Sequence, residues 1–122
     1  MQYMLLIYEN DDERVEKMDD RMPTCAAYAE AMKKAGIYVC GERLRGASAT
    51  TSVRVVDGKT HVVDGPYAEA KEQLGGFHII DVPDLDTALA WAARCPSAKR
   101  GTVEVRPVWP YDPAIDGAAA TR

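Results

Sequence analysis

"GGFHIIDVPDLDTALAWAARCPSAKRGTVEVRPVW", Gly75 to Trp109, decides the fold. After two glycines, Phe77 to Val82 is a short run of strand formers, and Pro83 ends it. "DLDTALAWAARC" then places Leu85, Ala88, Leu89 and Ala92 on one helical face, with Asp84 as the N-cap. "GTVEVRPVW" returns to period two: Val103 and Val105 share one strand face, Glu104 and Arg106 the other. The stretch therefore predicts strand, helix, strand.

The same order precedes it. "YMLLIY", Tyr3 to Tyr8, reads as a buried strand bounded by the polar "ENDDE". From Val15 an apolar stripe runs through Met18, Met22, Cys25, Tyr28 or Ala29, and Met32, and Gly36 is placed to stop the helix as a left-handed cap. Pro23 inside this stripe predicts either a break near Met22 or a helix whose regular part begins there. "IYVCGERL" is the following strand. Between the two halves lies "TSVRVVDGKTHVVDG", in which Asp57-Gly58 between β-branched residues signals a β-hairpin. The order β-α-β-(hairpin)-β-α-β defines an α+β chain, a ferredoxin-like split βαβ sandwich with an inserted β-hairpin. Its helices cover one sheet face only, so the other is expected to meet a second copy in a homodimer. Residues 1–109 form the expected domain, and the Pro/Ala/Gly-rich residues 110–122 read as a loose tail.

Composition limits the partners. The net charge of -4, with no basic run, argues against a nucleic-acid surface. Three cysteines without C-x-x-C or Cys/His spacing support neither a disulfide framework nor a metal site. The start of the chain lacks a basic leader, and no segment has the length of a membrane span, so a cytoplasmic protein with no membrane partner is expected. No phosphate fingerprint or other cofactor motif is present, and no cofactor is assigned.

The chemistry-bearing stretch is "DGPYAEAKEQLGGF", Asp64 to Phe77. Gly65-Pro66 imposes a turn after a strand, and Asp64 is open to two readings: a cap on that turn through backbone N–H bonds, or a general base. "YAEAKEQL" is long enough for one or two helical turns, which would gather Glu69, Glu72 and Gln73 either as paired acids or as a solvated face. Gly75-Gly76 then reads as a helix stop followed by a bulge or a close backbone approach. Of two histidines, His61 falls in the hairpin, while alternation groups His78 with Ile80 and Val82, a set expected on the second, helix-free face. Arg106 is open to an ion pair with Glu104 or to anion binding.

The strings "GERL" (Gly41 to Leu44), "DGPYAEAKEQLGGF" and "EVRPV" (Glu104 to Val108) are similar to those of the YCII-related family, in its DGPF-type branch. The naming motif is here Asp64-Gly65-Pro66-Tyr67, with tyrosine in place of phenylalanine. The resemblance implies pairing into a dimeric α/β barrel with clefts beside the sheet, and an association of the branch with extracytoplasmic-function sigma factors. It nominates Asp64, Lys71, Glu72 and Phe77, with Glu42 and Arg106 from the shorter strings. Another branch is linked to a histidine-containing acid/base pair whose histidine lies near the start of the first helix, where this chain has none.

From these residues the expected function is proton transfer, isomerisation or lyase chemistry without a cofactor on a small polar metabolite. Asp64, Lys71 and Glu72 are the catalytic candidates, with Asp64 as base and Lys71 or Arg106 stabilising negative charge. Glu42, Phe77, His78 and Arg106 are substrate-binding candidates. The rival is a non-enzymatic binding or regulatory module.

Overall fold

A computed structural model describes residues 1–114. Six strands and three helices follow in the order β1 (Gln2–Asn10), α1 (Asp11–Glu16), α2 (Met18–Lys34), β2 (Tyr38–Arg43), β3 (Thr51–Val56), β4 (Lys59–Asp64), β5 (Glu72–Asp81), α3 (Leu85–Arg94) and β6 (Thr102–Pro107). The main sheet has strand order β2-β5-β1-β6, and each neighbouring pair is antiparallel. Two crossovers, through α2 and α3, each connect strands separated by one antiparallel neighbour, which is the ferredoxin-like arrangement. The part of the tail reading that concerns residues 115–122 lies outside the described residues.

Local chemistry sets the boundaries. The Asn10 side chain accepts a hydrogen bond from the Glu13 N–H at 3.0 Å, and Asp11, Asp12 and Glu13 crowd the positive end of α1. The Asp84 carboxylate accepts from the backbone N–H and the hydroxyl of Thr87, at 2.8 and 2.7 Å, and starts α3 as expected. Gly36, at φ 73°, ends the α2 segment, and Asp57 and Gly58, at φ 51° and 74°, make the hairpin turn. The core forms where Tyr3 and Leu5 of β1, Ile80 of β5 and Val82 just after it meet Tyr28 and Met32 of α2 and Ala88 and Ala92 of α3. Leu5, Met32 and Ile80 are fully buried, each contributing about 1.5–3 kcal/mol of apolar transfer.

Four expectations need correction. The break in the first helical segment is at Lys17, which closes α1 and opens α2, while Pro23 lies inside α2. Residues 67–71 form no helix; β5 begins at Glu72, and the Gln73 side-chain amide donates to the Ala68 and Ala70 carbonyls, tying the loop to the strand. Gly75-Gly76 is accordingly no helix stop. It lies inside β5, where the pairing with β1 slips between Ile7 and Tyr8 and leaves Gly75 as a bulge. Finally, His78 does share a face with Ile80, but it is the helix-covered face, because His78 pairs with Leu5.

The hairpin β3-β4 is a separate two-stranded sheet. Val53, Val55, Val62 and Val63 on it are all at least 60% exposed.

Candidate functional site

Between α2 and the sheet lies a cavity of about 290 Å³. Its floor includes Ile7 and Glu9 of β1, Gly41 and Arg43 of β2, and Gly75 and His78 of β5. Met18, Arg21, Met22, Cys25 and Tyr28 of α2 form its roof, and Cys95, Ser97 and Arg100 close one end.

His78 stands in this cavity between two tyrosines. The Tyr28 ring meets it edge-on at 5.7 Å between centroids, and the Tyr38 ring lies at 6.1 Å. Residue 41 must be small: a Cβ there would come 2.4 Å from His78 Nδ1. That Nδ1 is buried and has no hydrogen-bond partner among the described residues. Burial lowers the imidazole pKa, so the ring is neutral above the ordinary histidine range. Tyr28 is held the opposite way. Burial pushes its phenol pKa up, and the hydroxyl donates to the Trp91 carbonyl at 2.6 Å, so Tyr28 orients the imidazole and keeps its own proton. Burial likewise pushes the Cys95 thiol up and disfavours a thiolate there.

Four arginines, Arg14, Arg21, Arg43 and Arg100, line the same cavity. Buried Glu9 accepts from Ser97 Oγ at 3.0 Å, Arg100 Nε at 3.1 Å and Arg21 Nη1 at 3.2 Å, while Arg21 also pairs with Glu13 at 2.9 Å. This network fixes two cations and uses up their charge. Arg14, only 4% exposed, donates through Nη2 to the Arg45 carbonyl at 3.3 Å and faces Asp11 at 3.7 Å, yet its Nε has no partner among the described residues. Arg43 touches the Met22 sulfur and has no carboxylate partner among the described residues.

The residues singled out in the sequence are dispersed. His78 lines the cavity. Glu42 borders it, its carbonyl lying where a Gly76 Cβ would approach to 2.7 Å, while its register partner Phe77 puts its side chain on the helix-free face. Asp64 is the exposed last residue of β4, and its carboxylate makes no hydrogen bond among the described residues. The turn is closed instead by Gly65 N–H to the Thr50 carbonyl at 2.8 Å and by Ser52 Oγ to the Gly65 carbonyl at 2.7 Å. Lys71 is exposed in the loop before β5, and Glu72 accepts from Thr102 Oγ1 at 2.9 Å. Arg106 and Glu104 meet at 3.9 Å on the helix-free face, an exposed pair of small energetic weight. Of these, Asp64, Lys71, Glu72, Phe77 and Arg106 are not among the residues lining the cavity.

Sequence reasoning missed Glu9, Arg14, Arg21, Arg43 and Arg100. Glu9 continues the Tyr3, Leu5, Ile7 alternation onto the core face, and Arg21 interrupts the Met18, Met22, Cys25 stripe, so both carried a readable signal. Among the described residues no group of three or more His, Cys, Asp or Glu is placed to hold a metal, and no helix is long and apolar enough to cross a membrane.

A ferredoxin-like domain with an arginine-lined cavity under its helices is thus the class that fold and site define. The chain belongs to the YCII-related family, whose domain matches residues 1–112. It is 40% identical over 107 residues to an uncharacterized protein of Rhizobium meliloti (strain 1021), covering 86% of this chain and 82% of that one. Among solved structures, it resembles the 5-chloro-2-hydroxyhydroquinone dehydrochlorinase of Burkholderia phenoliruptrix AC1100, in complex with 2,5-dihydroxybenzoquinone. The TM-score is 0.58 and the identity 16%, covering 93% of this chain and 98% of that chain. At that identity the likeness bears on the fold.

Proposed function

We propose that this protein is a small-molecule enzyme that moves a proton on a polar metabolite held beside His78. One observation carries the reading: an imidazole kept neutral by burial, free of hydrogen bonds and oriented by Tyr28 and Tyr38, lines a cavity that also carries four arginines. A neutral imidazole accepts a proton from carbon or oxygen, and the electron pair left on the substrate moves onto an oxygen. Arg43, in the wall of the same cavity, stabilises that developing oxyanion. Return of the proton at another carbon gives isomerisation; departure of a leaving group gives a lyase step. The neighbouring dehydrochlorinase supplies a fold-level analogy, an enzyme with a small-molecule ligand on this architecture. Three free cysteines suit a reducing cytoplasm, and a homodimer would cover the helix-free face.

The test begins with a thermal-shift screen of small carbonyl and hydroxy acids. A binder is then incubated in D₂O and followed by proton NMR. Loss of one C–H signal with the parent, and its persistence with His78→Asn despite retained binding, is the expected result. Binding without exchange or turnover of any binder would favour the non-enzymatic module instead.

A further inference from the structure

A second cavity, of about 480 Å³, adjoins the first and shares Arg14, Met18 and Arg43 with it. Its remaining lining is Val15, Leu44, Arg45 and Gly46, so three guanidinium-bearing residues and no carboxylate line it. Only Arg14 is partly neutralised, by Asp11 at 3.7 Å. Arg43 and Arg45 have no acidic partner among the described residues. Arg14 is the informative member: it forms part of the wall of both cavities, it is 4% exposed, and its Nε–H is buried without an acceptor. That Nε faces Gly75 of β5, so the buried Arg14 brings its charge to the cavity wall beside the exposed Arg43 and Arg45, and an anion among the three offsets their mutual repulsion.

At residue 46 the chain passes close against α1. A Cβ at Gly46 would approach Val15 Cγ2 to 2.9 Å and Asp11 Oδ2 to 3.4 Å. Asp11 is itself engaged, since its Oδ2 accepts from the Ala47 N–H at 2.9 Å.

We propose that this second cavity is an oxyanion subsite, which takes the carboxylate or phosphate end of the metabolite and leaves its reacting end beside His78. Arginine suits this task because its planar fork donates two parallel hydrogen bonds to either group. The placement of the reacting end rests on the proton-transfer reading above; the anion subsite itself does not. The implied substrates are elongated monoanions or dianions whose charged end lies in the second cavity and whose uncharged end reaches into the first.

Titration calorimetry with inorganic phosphate and with succinate, at constant ionic strength, tests it on the full chain. Saturable binding of at least one probe is expected. Its Kd should rise about tenfold or more in Arg43→Gln and Arg45→Gln, the loss expected for a charged hydrogen bond. It should change less than about twofold in His78→Asn and in Arg54→Gln, a hairpin control for net charge. Phosphate alone binding assigns a phosphorylated substrate, and succinate alone a carboxylic acid. No saturable binding of either probe, or binding unchanged in both arginine variants, overturns the subsite. Loss of binding in His78→Asn overturns its location. If the anion binds as expected but no binder exchanges its protons, the catalytic reading fails and the subsite stands.

Discussion

Arg14 fits against β5 because residue 75 has no side chain. A Cβ there would lie 2.7 Å from Arg14 Nε and 2.8 Å from its Cδ, and the Arg14 side chain is too buried to swing clear. Gly75→Ala should therefore displace the guanidinium, costing about 1–3 kcal/mol by overpacking and weakening anion binding along with it. Chemical denaturation and the phosphate or succinate titration read the two effects; an alanine variant with parental values in both would show that Arg14 is free to move. His78 carries a second prediction. Its pKa in the folded chain is lowered from the ordinary 6.5 by burial, so the unfolded chain binds the proton more readily. The sign follows: His78 costs no stability above about pH 6.5, and stability is lost as pH falls from there through the lowered folded value. Subtracting the pH–stability curve of His78→Asn from that of the parent isolates this slope from the hairpin's His61. A difference curve that is flat below neutrality would sink the neutral-imidazole argument.

At the scale of elements, the hairpin is hydrogen-bonded as its own sheet, so its turn should control local rather than global stability. Gly58 adopts φ 74°, which costs a residue with a Cβ about 1 kcal/mol. Gly58→Ala should speed amide exchange across residues 51–64 while the main sheet and the melting temperature stay as they were. A shared drop in both would mean the hairpin folds with the core. This hairpin, both long helices and every strand of the main sheet were readable from period, caps and the Asp57-Gly58 pair, because in those segments local preference and tertiary packing agree. They disagree at residues 67–71. Ala, Glu and Lys there have good helix propensity, but Glu72 already pairs with Asn10, so sheet pairing prevails. The cavity was harder to foresee for another reason. Its walls come from β1, α2, β2, β5 and the segment after α3, and a single sequence carries no record of which distant residues meet. His78 could be nominated, but the face it occupies depended on which side the helices lay.

At the scale of the molecule, one face of the sheet remains open. Register places Met4, Leu6, Tyr8, Phe77 and Ile79 on the side opposite the helices, and Leu74 beside them is 38% exposed. Tyr67 and Trp109 are 83% and 89% exposed, and the hairpin adds its row of valines. Soluble monomers seldom leave contiguous apolar patches above a few hundred square ångströms, whereas a standard interface buries about 800 Å² on each partner. A second copy applied to the open face, with the hairpins reaching across, would satisfy both limits. Sedimentation equilibrium at micromolar concentration should therefore give twice the 13.4 kDa of one chain. Val62→Lys supplies the control, because Val62 is 62% exposed on a hairpin that is separate from the main sheet. A charge there should weaken association without lowering the single chain's own stability. A parent protein that sediments at the mass of one chain would remove the paired-sheet arrangement. A Val62→Lys protein that remains a dimer would confine the contact to the sheet face, since the hairpins would then lie outside it.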